Sequence, residues 1–191
     1  GRVEDTASLP IGAVRMTERF LRGDPPAAAE VKALRSEVRE RLHRAMPFLE
    51  CRGRLVGIGG TVRALASLQL AARTDEAMRH GLRLSQDDII AVRARVEALP
   101  LSRRQCVPGL RPERADIIVA GALVVEELVR ASGYPELTVC TFGVRDGYLI
   151  RRAFPDSWPL HGPASVLAEA IAASGAAAAA DPARNTSMTT L

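Results

Sequence analysis

The chain has 191 residues, 47% hydrophobic but only 4% aromatic, with 26 basic against 22 acidic side chains and a formal net charge of +4. That is enough apolar material for the core of one ordinary domain plus a tail, and with so few rings on which bases could stack, nucleic acid is a minor expectation as a partner despite a pI near 9.5. Lys32 is the only lysine, so the positive charge is almost wholly arginine, which suits bidentate contact with phosphate oxygens and is equally what a biased genome composition produces.

Residues 1–15 read as extended, with Ala7 to Val14 apolar and broken by Pro10 and Gly12, and Val14 to Leu21 as helical. Gly23-Asp24-Pro25-Pro26 interrupts the chain. Ala27 to Met46 is then a long charged segment with Val31, Leu34, Val38 and Leu42 at helical spacing, which turns an apolar stripe to the core until Pro47 stops it. Arg54 to Ile58 is expected as a buried strand and Thr61 to Arg73 as a second helix. Ser85-Gln86-Asp87-Asp88 has capping-box spacing, so a helix should run from about Gln86 to Leu99, where Pro100 ends it. Glu113 to Ala131 begins right after Pro112, stops before Gly133 and is apolar nearly all round from Ile117 to Val125, which places a helix at the centre of the domain. Leu137 to Thr141 reads as the last strand, since Thr138 and Val139 are good strand formers, and Val144 to Arg152 as a short segment after Gly143. From Phe154 onward Pro155, Pro159, Pro163 and an alanine run give a low-complexity character. The expected organisation is therefore one domain over 1–153 and a disordered tail over 154–191 that carries no chemistry, with at most one helix near Ser165 to Ala173.

Cys51, Cys106 and Cys140 are far apart and make no CxxC pair, as expected for reduced thiols in the cytoplasm and not for zinc. His43, His80 and His161 share no metal-ligand spacing either. The longest apolar run, nine residues from Ile117 to Val125, is too short to cross a bilayer, so no membrane role is expected. No secretory signal opens the chain, and Gly1 in place of methionine suggests a processed chain, an expressed fragment or an incomplete gene.

Two segments carry the chemistry. In Leu55-Val56-Gly57-Ile58-Gly59-Gly60-Thr61-Val62-Arg63-Ala64-Leu65 a short apolar strand runs through a glycine turn into a helix that opens on Thr61, a layout that presents backbone N–H groups to a phosphate. The same glycines also serve simply to permit a tight turn. The second segment is Val107-Pro108-Gly109-Leu110-Arg111-Pro112-Glu113-Arg114-Ala115-Asp116.

With Ser8-Leu9-Pro10-Ile11-Gly12-Ala13-Val14-Arg15 and Thr17-Glu18-Arg19-Phe20 before them, and Phe142-Gly143-Val144-Arg145-Asp146-Gly147-Tyr148-Leu149 after, these motifs over about 8–152 resemble the second lobe of the exopolyphosphatase / guanosine pentaphosphate phosphohydrolase (Ppx/GppA) family. Val144 and Asp146 depart from the family's leucine and glutamate at those places. The resemblance implies an α/β, ribonuclease-H-like lobe of the actin-like ATPase superfamily, with a mixed sheet flanked by helices. It also implies hydrolysis of terminal phosphoanhydrides of polyphosphate or pppGpp with Mg2+. Such hydrolysis needs a water aligned on phosphorus, a carboxylate to orient it and Mg2+ on the oxygens. By resemblance the catalytic glutamate, the Mg2+ ligands and the family's Asp-x-Gly-Ser and Asp-Ile-Gly-Gly-Gly-Ser-type loops belong to sequence before this chain's start, so no catalytic residue is nominated and the chain is expected to be inactive alone. Carried over as phosphate-binding positions are Gly57, Gly59, Gly60 and Thr61 of the loop, and Arg114, whose plainer role is an ion pair with Glu113 or Asp116. Arg111 is the weaker candidate, expected at the surface, and Arg39 or Arg41 could face the polyphosphate but more readily pair with Glu37 and Glu40 on a solvated helix face. Asp116 reads as a helix cap and not a metal ligand. An apolar face left by an absent lobe would favour a homodimer. The competing functions are a non-catalytic sensor of polyphosphate, ppGpp or a nucleotide, and a sugar-kinase-like or actin-like ATPase lobe.

Overall fold

The computed structural model describes residues 6–45, 53–72 and 80–153. The chain divides into two compact units, one over Asp5–Gly147 and a second over Gly1–Glu4 with Tyr148–Leu191. The second is represented among the described residues only by the end of a helix. The expected tail over 154–191, Pro47, Cys51 and His161 lie outside the described residues.

The first unit begins with α1 (Ala13–Phe20) and α2 (Ala28–Ala45). The turn between them closes on Glu30, whose carboxylate accepts from the backbone N–H groups of Arg22, Gly23 and Ala27 at 2.8 to 3.2 Å. Those backbone bonds, with that of Ala27 foremost, hold the Glu30 carboxyl below the usual carboxylate range. β1 (Val56–Gly57) then leads into α3 (Gly60–Ala72), and β2 (Arg83–Ser85) into α4 (Gln86–Glu97). The expected capping box is present in both halves: Ser85 Oγ accepts from Asp88 N at 3.1 Å and Asp88 Oδ2 accepts from Ser85 N at 3.0 Å.

A short α5 (Leu101–Arg104), α6 (Ile118–Ser132), β3 (Glu136–Val139) and α7 (Val144–Ala153) complete the order. β3 is the middle strand of three, parallel to β1 and antiparallel to β2, with Val56 opposite Thr138 and Leu84 opposite Leu137. α6 is the centre of the helical layer, packing on α1, α2, α3 and α4. As its sequence predicts, it is buried almost all round, from Ile118 through Leu123 to Val129. Gly133 closes it in the left-handed region at φ +70°, where a glycine ends helices most readily.

Two expectations need correction, and two short elements come in addition. The strand over Arg54–Ile58 is only two residues long and is not buried, because β1 is the sheet edge and leaves Val56 53% and Ile58 56% exposed. The helix does not start at Glu113. Residues Pro112–Arg114 form a 3-10 turn and α6 starts at Ile118, after Asp116 Oδ1 accepts from Ile117 N at 2.9 Å. β2 and α5 are unanticipated, being three and four residues long and held by tertiary bonds: Arg83–Ser85 by β3, and the first N–H of α5, on Leu101, by the Asp24 carboxylate at 2.8 Å.

Arg104 fixes the loop that follows. It is 4% exposed, and its guanidinium donates to the carbonyls of Val96, Ala115 and Leu99 at 3.0, 2.8 and 2.7 Å while pairing with Asp24 at 3.4 Å. Burial pulls its pKa below the ordinary value, against the attraction of Asp24 and Asp116. Both ends of the 105–115 segment are thereby tied to the frame, which sets where Arg111 and Arg114 stand.

Candidate phosphate-binding site

The site is built around the first turn of α3. Gly59, with φ +97°, turns the chain out of β1 in a conformation that side chains resist. The first backbone bond of the helix runs from Arg63 N to Gly59 O at 3.2 Å, so the N–H groups of 60–62 precede the ladder and have no helical acceptor. The positive end of the helix dipole and these amides point the same way, an electrostatic environment suited to an oxyanion.

The structure brings Gly60 and Arg114 together, although they lie far apart in the sequence. A methyl group at residue 60 would lie 2.5 Å from Arg114 Cζ, so the guanidinium rests directly on the glycine's Cα. The alternative ion pair with Glu113 or Asp116 is not formed, and the expected cap at Asp116 is not made either: its Oδ1 accepts only from the backbone N–H of Ile117, which is itself the N-cap of α6. Thr61 points the other way, toward α6: a methyl at Gly121 would stand 2.7 Å from Thr61 Cγ2 and 3.2 Å from its Oγ1. Its hydroxyl sits at the contact of α3 with α6, with Ala13 alongside. Gly57 has a packing role, since any Cβ there would meet Val62 at 2.9 Å and Leu137 at 3.0 Å.

A cleft of about 160 Å³ opens beside this turn, lined by Gly60, Arg63, Ala64, Ser67, Gly109, Arg111 and Arg114. Gly60, Arg63, Ala64 and Ser67 fall at i, i+3, i+4 and i+7, one stripe of α3, while Val62, Leu65, Ala66 and Leu68 face the core. Arg63, Ser67 and Gly109 were not anticipated as site residues. The polar positions at helical spacing from Gly60 were the legible signal. Gly109, at φ +86°, lets the loop approach the Ser67 carbonyl so closely that a Cβ would collide with backbone.

Other basic candidates are engaged elsewhere. Arg41 bonds Glu37 on its own helix, Nε to Oε1 at 2.7 Å, and Arg39 Nε reaches Glu127 Oε2 on α6 at 2.7 Å. That second bond belongs to a knot across three helices: Arg35 of α2 and Arg93 of α4 donate to Glu126 at 2.8 and 2.7 Å, and Arg130 bridges Glu126 and Glu127 at 3.2 and 3.1 Å. Both glutamates are 1% exposed. Burial opposes ionisation of Glu126, but Arg35 and Arg93 outweigh it and hold its pKa below 4.5.

Among the described residues no group of three histidine, cysteine, aspartate or glutamate side chains could hold a metal ion, so the Mg2+ implied by resemblance has no ligand set in them and no step is derived through it. His80 Nδ1 accepts from Thr141 N at 3.4 Å, with its ring 5.1 Å from that of Phe142, and Cys106 and Cys140 are free thiols. Nor is any described helix long and apolar enough to cross a membrane.

Among the described residues the three-stranded mixed sheet flanked by helices matches solved structures of the Ppx/GppA family, which have an actin-like ATPase fold. The chain superposes on the Aquifex aeolicus Ppx/GppA family member with a TM-score of 0.74 at 26% identity, covering 82% of this chain and 51% of that one. An exopolyphosphatase from Cytophaga hutchinsonii gives 0.68 at 22% identity, over 76% of this chain and 48% of that one, which supports the fold alone. The chain belongs to the Ppx/GppA phosphatase family, whose model matches residues 1–154. Exopolyphosphatase 2 of Mycobacterium tuberculosis is 38% identical over 153 residues, 76% of this chain and 48% of the relative, and exopolyphosphatase 1 of Mycobacterium leprae is 32% identical over 152 residues, 78% and 45%. The family is thus hydrolytic, and the chain spans about half the length of the curated relatives it matches.

Proposed function

We propose that this chain is the substrate-holding second lobe of a cytoplasmic phosphatase that removes terminal phosphoryl groups from inorganic polyphosphate or pppGpp. In this reading it turns over only when joined to a first lobe that supplies the water-orienting carboxylate and the Mg2+ ligands. The observation that supports it is the seat of Arg114 on Gly60. A cation there stands beside the amides that open α3, so a phosphoryl group would meet charge and directed N–H donors together. Gly59 and Gly60 make the turn, and Thr61 and Gly57 hold it to α6 and to the sheet. These residues bind and orient; none of them activates water.

The test is phosphate release, with Mg2+, from polyphosphate and from pppGpp, by the chain alone and by the chain fused behind the upstream half of the Mycobacterium tuberculosis relative. Release by the fusion only, abolished by Arg114→Gln, is the expected result. Release by the chain alone would overturn the division of labour, and binding without release in both forms would favour a sensor. Comparing the two substrates in the fusion settles which is preferred.

A further inference from the structure

Arg104 is a buried cation whose acidic partner is half outside: Asp24, at 3.4 Å, keeps a side chain 47% exposed. Its guanidinium is shared instead among backbone carbonyls. Nε and Nη2 donate to Val96 O and Leu99 O at the end of α4, while Nη1 donates to Ala115 O, which lies beyond the loop. A buried charge without such bonds would be strongly unfavourable, and a planar fork of five N–H groups can serve carbonyls on two elements at once, where a lysine ammonium carries three donors at a single point.

Ala115 directly follows Arg114 and closes the 3-10 turn. Arg114 N donates to Arg111 O at 2.9 Å, Ala115 N to Pro112 O at 3.1 Å and Ile117 N to Arg114 O at 3.3 Å, so the turn is bonded within itself. Among the described residues, Arg104 makes the side-chain hydrogen bond that ties the backbone of this turn to another element. We propose that Arg104 is a positioning residue for phosphoryl binding: by holding the Ala115 carbonyl against the end of α4, it sets the turn from which Arg114 reaches Gly60. This rests on the functional reading above, in which Arg114 meets the phosphoryl group. Arg104 itself touches no substrate, because all three of its nitrogens are bonded inside the protein. Asp24 belongs to the same bracket, since it pairs with Nη2 and also accepts from the first N–H of α5. A turn held in one place lowers the entropy lost when Arg114 is seated on an anion, and a turn released from α4 does not.

A double-mutant cycle tests this. Tripolyphosphate is titrated calorimetrically into the full 191-residue chain, Arg104→Lys, Arg114→Gln and the double variant, at two salt concentrations and below the thermal midpoint of each. Arg114→Gln should weaken binding about tenfold. Arg104→Lys should weaken it roughly threefold to tenfold in the parent but less than about twofold in the Arg114→Gln background, because a residue that acts through Arg114 then has nothing left to act on. The lysine keeps the formal charge, so a lower salt dependence in Arg104→Lys reports Arg114 leaving the anion and not a lost cation. Its effect on the thermal midpoint should be alike in both backgrounds, which separates a structural cost from the coupling. If the lysine variant does not fold, Asp24→Asn takes its place in the cycle, with the same pattern expected at smaller size. Equal losses in both backgrounds, or no loss in either, overturn the proposal and leave the functional reading standing. Binding that Arg114→Gln does not weaken removes both.

Discussion

Gly60 and Gly109 flank the same cleft but forbid side chains for different reasons, and substitution separates them. In Gly60→Ala the new methyl meets the far end of Arg114, which can swing away, so we expect little change in the urea midpoint but about a tenfold loss of tripolyphosphate affinity. In Gly109→Ala the methyl meets the Ser67 backbone at a φ of +86°, and chemical denaturation should show a loss on the order of 1–3 kcal/mol. The glycines of the loop were plain in the sequence because a strand, a glycine pair and a helix opening on threonine are all local signals. Gly57 illustrates the limit: nothing local says that its missing side chain makes room for Val62 and Leu137. Arg63 was less visible than the turn beside it, although its helical spacing from Gly60 was already there to count.

At the level of elements, α6 is an apolar rod that ends in a buried knot of charge. Glu126 has a folded pKa below 4.5, so its stabilising contribution is complete above that pH and is lost as the pH falls through the lower folded value, while its arginine partners stay protonated throughout. The urea midpoint should therefore drop as the pH is taken down through and below the ordinary carboxylate range, part of it through Glu126. Glu126→Gln should be less stable than the parent at neutral pH, by roughly 1–3 kcal/mol since Arg35, Arg93 and Arg130 keep access to water, with a shallower acid limb. An acid limb as steep in the variant as in the parent would remove Glu126 from this account. The knot was not legible, since two adjacent glutamates near a helix end look like a solvated face until α2 and α4 are seen to cover them. The capping box of α4 was legible to the residue because both of its bonds lie within four positions. The expected start of the central helix at Glu113 failed because Pro112–Arg114 closes as a 3-10 turn and the regular helix begins only at Ile118.

For the molecule as a whole, order of motifs gave the family where composition gave only a class, and among the described residues β1 stands at the sheet edge with Val56 and Ile58 exposed. Unpaired edges with exposed branched side chains promote association. Sedimentation velocity of the isolated chain should show concentration-dependent self-association that Val56→Lys reduces; a monomer at all concentrations would remove this edge as a cause. The Thr61–Gly121 contact gives the architecture a mechanical reading. α6 touches the glycine turn before α3 through a glycine, with no side chain to act as a cushion, and five residues on, about 7.5 Å along its axis, it is clamped by the Glu126 arginines. The helix thus meets the loop and the arginines at two closely spaced places along a rod that the surrounding helices bury, so the turn before α3 and the charged knot share one rigid support.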